Sequence, residues 1–285
     1  MKELTVISGK GGTGKTSIAA SFAVLAGNHV LADCDVDAAN LHLLLAPEIE
    51  SRQNFWGMPR AEIVTEKCTD CGLCRELCRF GAIKGGQVDM LACEGCLVCY
   101  HACPAGAIRQ VENLAGVWYI SRTRYGPFVH ARLGIAQDNS GKLVAEVRRQ
   151  ARKLAEKEGK SLIITDGPPG IGCPVISALG GTDLALVVVE PTLSSLHDLG
   201  RVLQLTEHFG VKTVVCINKW DLDRKISRQV ENACRDAGVP VIGRIGYDPA
   251  VTVAAREGKP VIRVPSTVAE DIVSLWACVQ KELGI

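Results

Sequence analysis

Residues 9–16 read Gly9-Lys10-Gly11-Gly12-Thr13-Gly14-Lys15-Thr16, a turn of the form G-x-x-x-x-G-K-[ST]. The β-prone run Leu4-Thr5-Val6-Ile7 precedes it, and the apolar, helix-forming stretch from Thr16 to Ala26 follows. A strand feeding a glycine turn that opens a helix is the context in which this pattern has a physical meaning. Glycines let consecutive N–H groups converge on phosphate oxygens, and the helix N-terminus adds positive potential. Lys15 is placed to reach β- and γ-phosphates, and the Thr16 hydroxyl to ligate Mg²⁺. The alternative is a glycine turn that matches by chance, and the strand and helix in their required places argue against it.

The same alternation continues along the chain. Val30-Leu31-Ala32 reads as a second buried strand. The rhythm stops near Pro47, and the stretch to about Pro59 reads as irregular. After the strand-like runs Val117 to Thr123 and Phe128 to Ile135, the rhythm resumes. Helices are expected over Ser140 to Glu158, Leu196 to Phe209, Arg224 to Ala237 and Thr267 to Leu283. Strands are expected over Leu162 to Thr165, Leu184 to Val189, Thr213 to Ile217 and Val239 to Ile245. Strands that alternate with helices imply βαβ units and a parallel sheet.

The chain has 285 residues, room for roughly two domains. Its 32 Lys and Arg against 31 Asp and Glu leave a net charge of +1, so no strong electrostatic footprint for nucleic acid or an anionic membrane is expected. No apolar run approaches the roughly 20 residues of a spanning helix. A polar glycine turn stands where a signal peptide would need its apolar stretch. A cytoplasmic location is the expectation.

Lys10 gives the phosphate turn a second lysine. In this it resembles the deviant Walker A turn of the MinD/ParA class, which includes the nitrogenase iron protein. The resemblance covers roughly residues 1–46 and 114–285. It implies that Lys10 crosses a dimer interface to the partner's nucleotide, so a homodimer on ATP binding is expected. Asp33-Cys34-Asp35-Val36-Asp37 resembles the first switch, which implies that Asp35 positions the attacking water. Helix capping is the alternative for Asp35 and Asp37. Asp166-Gly167-Pro168-Pro169-Gly170 resembles the second switch, which implies that Asp166 holds Mg²⁺; a turn aspartate is the alternative. The resemblance also implies that Gly9 to Thr16 and Ser17 bind the nucleotide, with Asn218 on the adenine edge and Asp248-Pro249 as a second contact. The motif Asn218-Lys219-Trp220-Asp221 also admits guanine, but the turn type favours ATP. Lys10, Lys15, Asp35 and Asp166 are the catalytic candidates.

Eight of the 13 cysteines fall in two runs, Cys68-x2-Cys71-x2-Cys74-x3-Cys78 and Cys93-x2-Cys96-x2-Cys99-x3-Cys103. A secreted disulfide scaffold would spread its cysteines through a short chain, so metal ligation is the better reading. The repeat continues beyond the cysteines: Phe80-Gly81-Ala82-Ile83 aligns with Ala105-Gly106-Ala107-Ile108. The segment resembles a bacterial two-cluster ferredoxin, in which the fourth cysteine of each run ligates the other cluster. That implies one [4Fe–4S] cluster on Cys68, Cys71, Cys74 and Cys103, and another on Cys93, Cys96, Cys99 and Cys78. Structural zinc is the alternative. Arg79 departs from the pattern, which usually has proline there.

The expected fold class is therefore α/β, a doubly wound, mostly parallel P-loop sheet (1–59 and 113–285) with a small inserted ferredoxin-like α+β domain (60–112). Cys173, seven residues after Asp166, resembles a cluster-ligating cysteine of the nitrogenase iron protein, but a buried packing thiol is the plainer reading. His130 reads as a partly exposed strand histidine. Gln280 to Ile285 lacks the basic amphipathic tail that anchors MinD to membranes.

Three functions follow as expectations. The first is an Mg²⁺-dependent ATPase that couples ATP to electron transfer or metallocofactor handling with an unidentified redox or metallocofactor partner. The second is a positioning switch that recruits a partner protein, with structural or sensory clusters. The third is a carrier that passes on a labile cluster.

Overall fold

The computed structural model describes residues 1–134, 137 and 140–285. The chain divides into two compact units. One comprises Met1–Arg52, Trp118–Arg132 and Ser140–Ile285; the other comprises Gln53–Val117 and Leu133–Asn139.

The strands of the nine-stranded sheet are β1 (Lys2–Ser8), β2 (His29–Asp33), β3 (Glu48–Trp56), β8 (Leu114–Thr123), β9 (Gly126–Leu133), β10 (Leu162–Pro169), β11 (Leu184–Val189), β12 (Thr213–Asn218) and β13 (Val241–Ile245). Shorter strands β4 (Arg60–Ile63), β5 (Ile83–Lys84), β6 (Gln87–Val88) and β7 (Ile108–Val111) belong to the cysteine segment. The helices are α1 (Lys15–Ala26), α2 (Leu41–Leu45), α3 (Leu73–Leu77), α4 (Val98–Ala102), α5 (Ser140–Glu158), α6 (Cys173–Leu179), α7 (Leu193–His208), α8 (Arg224–Asp236), α9 (Ala250–Arg256) and α10 (Val268–Leu283).

The sheet order is β13-β12-β11-β1-β10-β2-β9-β8-β3. Every pairing from β13 to β9 is parallel. Successive side chains of a strand face opposite ways, and the central strands bury both sets. Leu184, Leu186 and Val188 join Leu4, Val6, Phe22 of α1 and Trp276 of α10 in one cluster. Ala185, Val187 and Val189 join Ile7, Leu199 of α7 and Val230 of α8 in the other. Helices on both faces of a parallel sheet make the doubly wound architecture.

Three expectations need correction. Residues 48–56 are not irregular but form β3, the last strand of the sheet. Its residues are mostly exposed, and Glu48, Glu50 and Arg52 break the apolar alternation by which a strand is read; charges of this kind protect an edge from stray pairing. His130 is buried rather than partly exposed, because β9 lies inside the sheet, between β2 and β8. Its ring stacks on Phe128 and Tyr119, and Ser121 Oγ lies 2.9 Å from Nε2. Cys173 is exposed at the first turn of α6, not a buried thiol. The expected end of the β9 run, Ile135, lies outside the described residues.

The cysteine unit repeats its backbone as well as its sequence. β4 pairs antiparallel with β7, and β5 with β6. Left-handed residues recur 25 positions apart: Asp70 (φ 48°) with Gly95 (68°), Gly72 (77°) with Leu97 (58°), and Gly81 (62°) with Gly106 (57°). Asp70 and Leu97 accept a conformation unfavourable to side chains where the other copy uses glycine. Gly81 N–H donates to the Cys78 carbonyl at 3.2 Å, and Gly106 N–H to that of Cys103 at the same distance. The two halves are thus one local structure used twice.

Candidate functional site

The C-terminal ends of parallel strands are where an open α/β sheet leaves its crevice. Here they carry Gly9 after β1, Asp35 after β2, Asp166 in β10, Glu190 after β11 and Asn218 at the end of β12. A cavity of about 600 Å³ opens there. Its walls include Gly11, Gly12, Gly14, Lys15, Thr16, Ser17 and Asp35, all expected from the sequence, together with Asp37, Asn40, Pro168 and Pro169.

Two glycines in this region are fixed by close approach. A Cβ on Gly14, at φ 96°, would lie 2.3 Å from Asn218 Nδ2. A Cβ on Gly167 would lie 2.7 Å from Ile7 Cγ2 and 2.8 Å from the Val6 carbonyl. The second contact lets β10 run tight against β1 and sets Asp166 beneath the phosphate turn.

Lys15 and Asp166 are buried, at 5% and 1% exposure. Among the described residues neither Asp166 carboxylate oxygen has a hydrogen-bond partner of good geometry, the Thr16 hydroxyl standing nearest, and the Thr13 hydroxyl is likewise without one. Burial pushes the Asp166 carboxyl up to about 7, against the pull of the Lys15 ammonium, with the Thr16 hydroxyl beside it. Burial also raises Asp35, again opposed by Lys15. Asp33 is wholly buried and raised by burial and by Asp166. Its oxygens accept from the N–H groups of Asp35 (3.1 Å) and Leu41 (3.2 Å), which fixes the path of the loop. Buried carboxylates without partners are costly unless a cation joins them. The site therefore suits a cation such as Mg²⁺, which Thr16 and Asp166 would hold.

The remaining expected residues are not on the wall of this cavity. Gly9 abuts Asp198. Lys10 Nζ pairs with Glu190 Oε1 at 2.6 Å and also donates to Thr192 Oγ1 (3.1 Å) and Ser194 Oγ (3.3 Å). The other Glu190 oxygen takes Lys219 Nζ at 3.1 Å, which also donates to the Gly12 carbonyl at 3.1 Å. Burial alone would raise the Glu190 carboxyl, yet the two lysines hold it below its ordinary value. Lys219 itself sits at φ 56°. Asn218 Nδ2 donates to the Thr13 carbonyl at 2.7 Å, leaving one amide hydrogen for another partner. Asp248 joins two helix starts, accepting from Ala250 N, Thr267 N and Thr267 Oγ1, each at 2.8 Å. Pro249 caps α9. Sequence reasoning met Asp33 and Lys219 within motifs without giving them a role of their own, and passed over Glu190. Glu190 had a usable signal, an acid directly after a buried strand.

In the other unit a cavity of about 460 Å³ is lined by Cys68, Cys71, Cys74 and Cys103. Burial raises the Cys74 thiol, and its neighbours Cys68 and Cys103 add to the rise. Cys99 is raised by burial and by Cys93, Cys96 and Cys78. The thiols thus fall into two groups, each completed by the last cysteine of the other run. Ala107 N–H donates to Cys103 Sγ at 3.3 Å. Among the described residues no three His, Cys, Asp or Glu side chains converge as ligands of a single metal ion. A cubane differs from an ion in this respect, because its thiolates stand apart at four corners. The buried cluster here is small, Ala61, Ile83, Cys99 and Ile108, with four further cysteines packed against it. So the donor set and the thin core fit two [4Fe–4S] clusters better than one ion.

Among the described residues no helix is long and apolar enough to cross a membrane. An uncharacterized protein of Methanocaldococcus jannaschii, MJ0578, is 36% identical over 222 residues, 76% of this chain and 78% of that one. A putative septum site-determining protein MinD of Mesostigma viride is 27% identical over 270 residues, 92% of this chain and 76% of its own length. The fold is similar to that of the septum site-determining protein MinD of Pyrococcus horikoshii complexed with Mg-ADP, with a TM-score of 0.61 at 20% identity, covering 98% of this chain and 96% of that one. The CobQ/CobB/MinD/ParA nucleotide-binding domain matches residues 4–261, and the chain belongs to that family.

Proposed function

We propose that the protein is an Mg²⁺-dependent ATPase that acts as a nucleotide-driven switch: two ATP-bound copies pair, engage a partner protein and separate after hydrolysis. The observation that carries this is the buried Asp166 carboxylate, without a hydrogen bond of good geometry among the described residues, set beside Lys15 and Thr16 under a glycine turn. The turn's N–H groups and Lys15 hold the β- and γ-phosphates. Asp35, fixed by Asp33, orients a water in line with the γ-phosphorus. The water oxygen bonds to that phosphorus as its bond to the β–γ bridging oxygen breaks, giving ADP and phosphate. Thr16 and Asp166 would hold Mg²⁺, which when bound would offset the phosphate charge. Lys10 is tied to Glu190 within its own chain and must leave it to reach a second copy's nucleotide. The free hydrogen of the Asn218 amide serves the adenine edge, while Asp248 shapes the loop beside it.

The test is turnover and pairing in one preparation. ATP hydrolysis that needs Mg²⁺, with pairing on ATP and not on ADP, is expected; a chain that binds no nucleotide refutes the proposal.

Within this reading the cysteine unit holds two [4Fe–4S] clusters, on Cys68, Cys71, Cys74 and Cys103 and on Cys93, Cys96, Cys99 and Cys78. Such clusters, when bound, accept and release single electrons. Relatives named as septum site-determining proteins favour the recruiting switch. The second reading, ATP-gated electron transfer, is favoured by two complete thiol groups in one small unit. A redox titration with and without an ATP analogue separates them. A shift of about 59 mV, tenfold in a one-electron equilibrium, would favour electron transfer. Identical potentials would leave the recruiting switch.

A further inference from the structure

A second concave site stands in the nucleotide-binding unit, with a volume of about 510 Å³. Its floor is Tyr125, which packs against the hydrophobic core. Tyr125 sits in the turn between β8 and β9, where Thr123 Oγ1 donates to the Gly126 carbonyl at 2.9 Å and accepts from Tyr125 N–H at 3.1 Å. These bonds hold the turn that carries Tyr125.

Two guanidinium groups lie against this ring, Arg124 at 6.0 Å and Arg263 at 5.6 Å from its centroid. Among the described residues neither has a carboxylate partner. Lys259 adds a third cation and is paired with Glu257 at 3.0 Å. The lining thus carries three positive charges against one negative. Cations gathered without counter-charges repel one another, and an anion relieves that cost. Planar guanidinium forks suit the oxygens of carboxylate and phosphate groups. Ala46, also on the wall, is held at φ 44°. This left-handed alanine is the C-cap of α2, its N–H donating to the His42 carbonyl at 3.1 Å, and it ends the helix at the pocket wall.

The walls are shared with the nucleotide cavity. Leu44 of α2 lines both spaces. Ala255 of α9 lines the nucleotide cavity, and the chain directly after that helix lines the second one. A Cβ on Gly258 would lie 3.0 Å from the Leu43 carbonyl, so these two walls already touch.

We propose that the Arg124–Tyr125–Arg263 pocket is a binding site for a small multivalent oxyanion, a polycarboxylate or a phosphate, and that its occupant shifts nucleotide affinity through α2 and α9. Binding itself does not depend on the ATPase reading; the shift does.

The test is calorimetric titration of the cluster-bearing protein with citrate in one arm and inorganic phosphate in the other, without nucleotide and again with saturating Mg-ADP. Saturable binding of at least one anion is expected in both conditions. The double variant Arg124→Gln/Arg263→Gln should bind at least about tenfold more weakly, with an unchanged melting temperature. Lys15→Ala should bind the anion as the parent does, which separates this site from the phosphate turn. Undiminished binding in the double variant, or no saturable binding by either anion, overturns the site. Binding that runs through the arginines but leaves ADP affinity unmoved overturns the coupling, because coupling between two ligands is reciprocal. If Mg-ADP fails to bind the parent, the ATPase reading fails, and the nucleotide-free titration still decides the site.

Discussion

The nucleotide-binding unit hides Phe22, Phe128, Leu4, Ile7, Ile18, Leu31, Ile163 and Ile164 almost completely. The cysteine unit offers a buried cluster of Ala61, Ile83, Cys99 and Ile108. Each large aliphatic or aromatic side chain taken from water contributes about 1.5–3 kcal/mol. Ordering the chain costs about 1.5 kcal/mol per residue. The first unit can meet that cost with carbon. The second buries only Ile83, Ile108, a few alanines and Cys99, with Ile63 and Val88 partly buried against them, to set against its many ordered loop residues. If it holds the proposed clusters, its folding would draw on metal–thiolate bonds, and the two units would rest on different kinds of stability.

Stripping the iron should give the largest effect. Structural metal sites of other small domains are worth about 10–16 kcal/mol, far more than the core of the cysteine unit supplies. Amides of β4, α3, α4 and β7 should lose protection from hydrogen exchange, while those of β1, β10 and β11 keep it. Full protection across 60–111 in the iron-free chain would show that the segment folds on its own, and the contrast between the units would be lost.

The converse experiment is Lys15→Ala. Turnover should fall about 100-fold or more, the scale of losing a group that meets transition-state charge. Iron content should not change, since no cysteine ligand lies near the phosphate turn in the sequence. A variant that loses iron along with turnover would mean the units fold as one.

Acid should separate them next. His29 and His130 are both buried in the first unit, and burial lowers each to about 4, with Lys160 adding to the effect at His29 and His42 at His130. Their contribution is complete above the unfolded value near 6.5. As pH falls from 6.5 toward 4, the unfolded chain takes up protons that the folded chain refuses. The histidine contribution then falls by about 1.4 kcal/mol per pH unit for each residue, up to about 3 kcal/mol each at pH 4. Asp166, Asp33 and Asp35 are raised by burial in the same unit and gain stability over the same window, so the histidine contribution is read as a difference between variant and parent. Relative to the parent, His29→Leu should gain stability as pH falls from 6.5 to 4 in denaturant melts, and a pH-independent difference would place the titration elsewhere. His101, in the cysteine unit, is exposed.

How legible each unit was follows from the same physics. The parallel strands were readable because Leu184 to Val189 is apolar on both faces and the phosphate turn marks where β1 ends. β3 was hidden by its charges. α6 and α9, at seven residues each, complete too few turns to display a helical period. The cysteine repeat was legible from spacing, but not the left-handed Asp70 and Leu97, which side chains normally avoid. Asp166, Lys15 and Thr16 were legible from local motifs. Glu190's place after a buried strand was legible but its pairing was not, because it depends on β11 bringing it to lysines 180 positions earlier and 29 later, and no window of sequence contains that contact.

That contact also offers the smallest prediction, and the one closest to the switch. Glu190 holds Lys10 and Lys219 at once, and the ion pairs are partly exposed, with Lys10 and Lys219 each at 29%. Pairs of that exposure are worth about 0.2–1 kcal/mol. Glu190→Gln keeps the shape and removes the charge, so Lys10 remains tethered only by the hydroxyls of Thr192 and Ser194. A lysine that no longer has to break an ion pair should reach a second copy at lower cost. Pairing with an ATP analogue, followed by sedimentation, should tighten by roughly 2- to 5-fold, with iron content and ADP-state monomer unchanged. Weaker pairing would reverse the assignment, because Glu190 would then support the paired state instead of holding Lys10 back from it.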